Sequence, residues 1–350
     1  MSNSDHSVVL GLPLVSLVVT SYNYSQFILD CLKSIAEQSY RPIECLIIDD
    51  CSTDDSVSKI RQFISEHHDS QISFRLVEHD TNKGQLGGFI TGINEAKGKF
   101  LGFVDADDVI LPEYVNTHIQ VHFKTNVAMT VSQQIEFDED NQIHSLYSMA
   151  SPQKEPLTES NFTPMGFSEL SLSVQQKKFT ETQMSFKVIT PETHKFGAWH
   201  WGPTSNVIFR KKALMFFTYA DNLSYWKYCA DNLLFNYAHL IGGSCIVYAP
   251  LTAYRRHANK GFSNCSITGS VRYFNQKSRD KIKADKDALL HDILSLFANA
   301  RQEILSFMDR QTFRSLIKLV IKNYDKNSLL SNIHILEKLL DDDDLKTIKG

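Results

Sequence analysis

Residues 99–108 read KFLGFVDADD. Phe100 to Val104 are apolar or small and lack a polar helical face, so they predict a buried strand, and three carboxylates, Asp105, Asp107 and Asp108, follow at once. Like charges crowded at a strand end disfavour their own ionised forms, so solvent, a nearby cation or a divalent metal with hard oxygen ligands must compensate. Magnesium and manganese both suit such a donor set. A solvated acidic turn accounts for the same residues, and the rest of the chain has to weigh the two.

Working toward the N-terminus, strands and helices alternate. Leu14 to Thr20 (LVSLVVT) reads as a central parallel strand covered on both faces. Residues 26–38 set Phe27, Ile28, Cys31, Leu32, Ile35 and Ala36 on one helical face. Pro42 opens a second strand, Ile43 to Ile48, which ends in Asp49 and Asp50, and a helix from Asp54 to Glu66 turns Val57, Ile60, Phe63 and Ile64 inward. A third strand spans Ser73 to Glu78; the loop HDTNKGQLGG and a helix stopped by Gly98 lead back to the opening stretch. Right-handed crossovers turn β-α-β-α-β-α-β into a doubly wound, mostly parallel sheet flanked by helices. Ligands of such sheets lie outside the carboxyl ends of the strands, so Thr20 to Asn23, Asp49 with Asp50, and Asp105 to Asp108 should line one crevice. No GxGxxG follows the first strand, which argues against a dinucleotide oxidoreductase.

Toward the C-terminus, Leu111 to Phe123 predicts a helix with Pro112 in its first turn, and Val127 to Gln133 a strand. Residues 138–193 are polar with four separated prolines and predict long loops with short helices, either a lid facing an acceptor or a surface excursion. Lys211 to Ala213 suggest a helix start, Ala230 to Leu240 a helix and Cys245 to Tyr248 a strand, after which Pro250 begins a loop, LTAYRRHANKGFS. Beyond about Ser270 the spacing predicts an α-helical extension of three helices, 280–307, 310–323 and 328–340, with Asp341 to Asp344 as a solvated helix end. His118 and His122 lie four apart on a helix without a third ligand and read as surface residues.

The chain has 350 residues, 42% of them hydrophobic, enough for a real core. A formal charge of −4 with no long Lys/Arg run gives no electrostatic footprint for nucleic acid, so no nucleic-acid partner is expected. No basic leader and no membrane-spanning apolar run is seen, so a cytoplasmic protein is expected, with peripheral contact at the inner membrane face left open. The six cysteines form no CxxC pair and are expected to be reduced.

Four blocks carry a likeness: VSLVVTSYN at 15–23, IIDDCSTDDS at 47–56, NKGQ at 82–85 with GINEAKGKFLGFVDADD at 92–108, and YRRH at 254–257. In order and spacing, from Pro13 to about Ser263, the chain resembles the family 2 nucleotide-sugar glycosyltransferases, inverting enzymes of the GT-A fold. The resemblance implies a catalytic domain over 1–270, with a nucleotide-sugar half at about 13–125 and an acceptor-side half at 126–270, followed by the helical extension 271–350. It implies a nucleoside-diphosphate sugar donor, UDP-linked by expectation, a glycan or lipid-linked oligosaccharide acceptor, and a divalent metal, Mn2+ or Mg2+. Asp105 and Asp107 match the DxD motif and, with His257, the metal ligands; Asp108 contacts the ligand or stabilises its loop. Asp50 matches the base-binding carboxylate, Thr20, Tyr22 and Asn23 the nucleoside side, and Lys83, Gly84, Ala106 and Arg255 the rest of the donor site. Asp49 is expected to serve turn geometry.

Asp231 matches the general base of inverting transfer, although Ala230 replaces its usual acidic neighbour; Asp221 is the reserve. A helix N-terminal aspartate stabilising free N–H groups is the bland alternative for Asp231. Phe89 and Ile90 stand where many relatives carry Arg and Asn. Trp199, His200 and Trp201 fall in the acceptor region, as sugar-facing rings or as core. The C-terminal helices are left open to packing, self-association or contact with a membrane surface. The alternative to an enzyme is a non-catalytic nucleotide-sugar-binding or assembly protein with the same fold.

Overall fold

The computed structural model describes residues 11–69, 71–140, 143–147, 185–193, 201–257 and 276–349. Four parallel strands form its first half: β1 (Val15–Ser21), β2 (Ile43–Asp49), β3 (Ile72–Glu78) and β4 (Phe100–Asp105), in the order β3-β2-β1-β4. Side chains alternate across them, as the two-residue period of a strand requires. Leu17, Val19, Cys45 and Ile47 meet α1 (Ile28–Ala36) and α2 (Ser56–Glu66) on one face, while Val18, Leu46 and Ile48 meet α3 (Gly84–Glu95) on the other. The helices therefore cover both faces, as the alternating pattern predicts.

In-register pairing sets Ser21 beside Asp49, Thr20 beside Asp105, and Asp49 beside Glu78, so the strands end at one level. At the opposite end, buried Glu44 accepts hydrogen bonds from Ser16 Oγ (2.5 Å), from Gly98 N (3.1 Å) and from Lys97 N. Gly98 N also donates to Ser16 Oγ at 2.8 Å, so one carboxylate joins β1, β2 and the entry to β4.

The second half is mixed. It comprises β5 (Val109–Ile110), α4 (Tyr114–Lys124), β6 (Met129–Asp138), β7 (Ile143–Tyr147), β8 (Phe186–Ile189), β9 (Val207–Arg210), α5 (Ala230–Gly242) and β10 (Ser244–Arg256). The sheet continues β4-β9-β6-β10-β5, with β9 antiparallel to both neighbours and β10 parallel to β6. Two expectations change here. The strand predicted to stop at Tyr248 runs to Arg256, because Pro250 sits at register shifts against β6, where its missing N–H costs no ladder bond. The helix expected from Lys211 is a 3-10 turn, Lys211–Leu214.

His118 and His122 are not on the surface. Both are buried on α4 and share the Thr130 hydroxyl, which lies 2.7 Å from His118 Nδ1 and 3.1 Å from His122 Nε2; His122 Nε2 also donates to the Ile208 carbonyl at 3.0 Å. Burial pushes both imidazoles far below the usual histidine range, His122 to about 3.

Among the described residues the C-terminal extension is helical, in six pieces rather than three: α6 (Gln276–Asn299), α7 (Arg301–Leu305), α8 (Arg310–Ile321), α9 (Lys326–Ser331), α10 (Ile333–Leu339) and α11 (Asp342–Lys349). Leu290, Ile293, Leu294 and Phe297 of α6 share one core with Trp226, Leu233 and Tyr237, so the extension packs on the sheet half. Asp341 to Asp343 are exposed at the N-terminal end of α11, the solvated helix end expected of them, while Asp344 is partly buried and pairs with Arg314 and, at 2.8 Å, with Lys318. Among the described residues no helix is long and apolar enough to cross a membrane.

Candidate active site

The buried strand FLGFV ends in a tight turn in which Asp108 N donates to Asp105 O (2.9 Å) and Ala106 N donates to Thr20 O (3.2 Å). Oxygens of Asp105, Asp107 and Asp108 lie within 4.8 Å of one another, and Asp107 and Asp108 are each 1% exposed. Strand β10 passes beside this turn. Its antiparallel pairing with β5, Ala253 against Val109, continues toward Arg255 opposite Asp107. His257 Nε2 then faces Asp107 Oδ2 at 2.9 Å, with its ring 4.7 Å from that of Phe27. Asp108 is held in place: Ser205 Oγ donates to one oxygen (2.7 Å) and Arg255 N to the other (3.2 Å). Carboxylates with one imidazole beside them at a largely buried turn are the donor set that Mg2+ or Mn2+ takes, so Asp105, Asp107 and His257 fit a divalent ion.

Arg255 does not reach outward toward a phosphate. Its Nε donates to the Asp107 carbonyl (3.1 Å), its terminal nitrogen pairs with Asp30 (2.9 Å), and its guanidinium lies 5.0 Å from the Phe27 ring centre and 4.6 Å from that of Phe137. Two aromatic faces and these hydrogen bonds fix it as a strut of the acidic turn.

On the other side of the crevice, Asp49 accepts from Ser52 N (2.8 Å) and Ser52 Oγ (2.6 Å), the turn geometry expected of it. Asp50 accepts from His79 Nδ1 (2.7 Å), Lys83 N (2.8 Å) and Gly84 N (2.8 Å). Burial works to raise its pKa, but the hydrogen bonds from His79, Lys83 N and Gly84 N outweigh it and hold the carboxyl below its ordinary value. His79 completes a buried chain, its Nε2 lying 2.8 Å from Thr91 Oγ1. The sequence reading missed this histidine; the signal is the β2–β3 register, in which Asp49 pairs with Glu78 and the next residues of both strands meet.

Gly84 needs its left-handed φ of +71°, and a Cβ there would sit 2.7 Å from Lys227 Cα. Beside it Gln85 Oε1 accepts from Ala230 N at 2.7 Å, which brings the start of α5 against the start of α3. Thr20 is partly buried, Tyr22 and the Lys83 side chain are exposed, and Ala106 is fully buried. Asn23, at φ 59°, ties two loops: its N–H donates to Ser52 Oγ (2.9 Å) and its Oδ1 accepts from Thr53 N (2.8 Å).

Asp231 lies in the first turn of α5, which follows Cys229 in the left-handed region at φ 60°. Burial pushes its carboxyl up to about 6, against the pull of the Asn232 N–H at 3.0 Å. That places it in the range of a general base working near neutral pH. Asp221 is exposed.

Trp201 is core rather than a sugar-facing ring: it is fully buried, its indole N–H donates to Ser244 Oγ (3.3 Å), and its ring packs 6.0 Å from Phe235. Trp199 and His200 lie outside the described residues. Phe89, at the expected arginine position, is buried against Phe103 at 4.5 Å, so α3 uses it for packing.

Comparison with known proteins places these observations. The family model described as glycosyl transferase family 2 matches residues 16–188. Among curated relatives, an uncharacterized glycosyltransferase, alr2836, of Nostoc sp. is 26% identical over 255 residues, 73% of this chain and 68% of its own length. The Escherichia coli UDP-Glc:alpha-D-GlcNAc-diphosphoundecaprenol beta-1,3-glucosyltransferase WfgD is 31% identical over 115 residues, 33% of this chain and 43% of that protein. The match to GlyG of Streptococcus pneumoniae likewise spans 41% of its length. Among solved structures, S. aureus TarS 1-349 superposes with a TM-score of 0.50 at 15% identity, covering 96% of this chain and 90% of that one.

Proposed function

This chain is a family 2 glycosyltransferase of the GT-A fold, and on that premise we propose that it transfers a sugar, with inversion, from a UDP-sugar to a hydroxyl of a glycan or lipid-linked oligosaccharide. The observation that carries this reading is the convergence of Asp105, Asp107 and His257, from β4 and the end of β10, at the carboxyl edge of the parallel strands. A divalent cation held there would supply Lewis-acid neutralisation of the diphosphate leaving group. Asp50, with the loop it organises at Lys83 and Gly84, faces the nucleoside; Thr20 and Tyr22 flank it. Asp231 removes the proton of the acceptor hydroxyl as that oxygen attacks the anomeric carbon, and the nucleoside diphosphate departs with the bonding electron pair. The name of WfgD, which reads as UDP-glucose transfer to a diphosphoundecaprenol-linked sugar, supports a UDP donor and a lipid-linked acceptor.

The test is a panel of nucleotide sugars screened for transfer and slow donor hydrolysis with Mn2+ or Mg2+ present. UDP-sugars should turn over, and Asp107→Ala should abolish metal-dependent UDP binding in calorimetry. Undiminished binding by that variant would remove the metal assignment, and turnover of only non-uridine donors would correct the nucleotide.

A further inference from the structure

The segment that delivers Asp231 to the site, residues 221–229, is largely exposed: Asp221, Ser224, Tyr225, Lys227 and Tyr228 all face solvent. Trp226 alone turns fully inward, 1% exposed, into the core that it shares with Leu289, Leu290 and Ile293 of α6. Its indole N–H does not end in hydrocarbon. It donates to Asp292 Oδ2 at 2.5 Å, and Asn222 Nδ2 lies 3.3 and 3.2 Å from the two oxygens of the same carboxylate. The turn between them is closed by Trp226 N donating to Asn222 O at 3.2 Å. One buried carboxylate on the C-terminal extension thus grips both ends of a turn five residues before Asp231.

Asp292 is 6% exposed, and among the described residues no lysine or arginine pairs with it. On a helix face otherwise built from leucine and isoleucine, an apolar side chain of similar size would pack as well or better, because burying a carboxylate carries a desolvation penalty. What the carboxylate adds is direction. From Trp226 the chain reaches Lys227, whose Cα abuts Gly84, then turns at Cys229, docks Ala230 N on Gln85 and enters α5 at Asp231. The loop is therefore clamped between α6 and the start of α3.

We propose that Asp292 is a positioning residue for transfer, holding residues 222–231 through Trp226 and Asn222 so that Asp231 meets the acceptor hydroxyl. The proposal rests on the assignment of Asp231 as the base. It gives the C-terminal helices, which lie beyond the residues matched by the family model, a share in the chemistry. Geometry of this kind matters because a displacement of about 1 Å at a reacting group can cost about 100-fold in rate.

The experiment uses the full chain with Asp292→Leu, Asp292→Asn and Trp226→Phe. Asp292→Leu keeps bulk and removes the hydrogen bond, and Trp226→Phe removes the bond together with part of the ring volume; each should lower kcat by about tenfold or more while UDP affinity with Mn2+, from calorimetry, stays within about threefold of wild type. Asp292→Asn retains an acceptor for the indole and should recover most of the rate. Packing alone predicts wild-type kcat for Asp292→Leu, and that result overturns the proposal. Amide hydrogen exchange over residues 222–232 provides a readout independent of turnover: faster exchange in Asp292→Leu is expected, and unchanged exchange refutes the clamp. Should wild type turn over no nucleotide sugar, the functional assignment fails, and the exchange measurement still decides the clamp.

Discussion

Replacing Asp231 with asparagine separates a catalytic base from a helix-terminal ornament, because the two roles predict opposite changes in stability. Burial raises this carboxyl to about 6, against about 3.9 in an unfolded chain. A carboxylate with a raised folded pKa opposes folding once it ionises, so the wild type should lose stability as pH climbs from about 4 to about 6 and stay at that level above. Two pKa units correspond to nearly 3 kcal/mol, and partial exposure of the side chain reduces this to about 1–2 kcal/mol. Asp231→Asn should therefore gain that stability at pH 7 and lose turnover by at least about 100-fold, the usual contribution of a general base. Transfer by the wild type should follow ionisation, with roughly a tenth of the base active at pH 5 and nine tenths at pH 7. Urea denaturation at pH 4 and 7, with kcat/KM from pH 5 to 8, reads all three quantities. A variant that turns over normally and melts earlier would mean that the side chain only caps α5, where such a charge is worth at most about 1 kcal/mol.

The imidazoles of His118 and His122 are neutral in the native state, so the unfolded chain gains protons below about pH 6.5 and stability falls with acidification; between pH 7 and 5 each should cost about 2 kcal/mol. Comparing urea midpoints at these two pH values, His118→Gln should lose about half of the pair's slope, and an unchanged slope would contradict their buried, neutral state. Gly84→Ala meets both a left-handed φ and the Lys227 backbone, so it should destabilise the chain by more than about 2 kcal/mol and weaken UDP binding through the loop on Asp50. Calorimetry and thermal melts check both effects, and a variant as stable as wild type would show that the loop tolerates a shift.

The alternating strands and helices were readable up to Asp108 because each strand is a local run of apolar residues and each helix has a one-sided face, and parallel pairing then fixes which ends meet. What escaped was set by partners distant in sequence. Pro250 marks a loop by local rules, yet β6 pairs on both sides of it and carries the strand on to Arg256, so that His257 arrives beside Asp107. His79 gains its meaning only when the β2–β3 register places it against Asp50. His118, His122 and Trp201 carry polar atoms that sequence alone cannot assign to water or to a buried acceptor; Thr130, the Ile208 carbonyl and Ser244 decide it. The packing of Arg255 is hidden for the same reason, since its two aromatic neighbours come from residues 27 and 137.

The buried Glu44 junction acts as a common origin from which three strands are measured. Ser16, Glu44 and Gly98 are pinned together, and Thr20, Asp49 and Asp105 stand a fixed number of residues downstream along in-register strands, with Asp50 and Asp107 in the turns that follow. A strand advances about 3.3 Å per residue and alternates its faces, so a single insertion between the pin and the site would displace one of these groups by that distance and turn its side chain to the opposite face. The tolerance of the chain to length changes should therefore be sharply uneven: the connection at residues 67–69, at the end of the sheet away from the site, can lengthen, whereas the spans 16–20, 44–49 and 98–105 act as rulers whose count decides which groups meet at the strand ends.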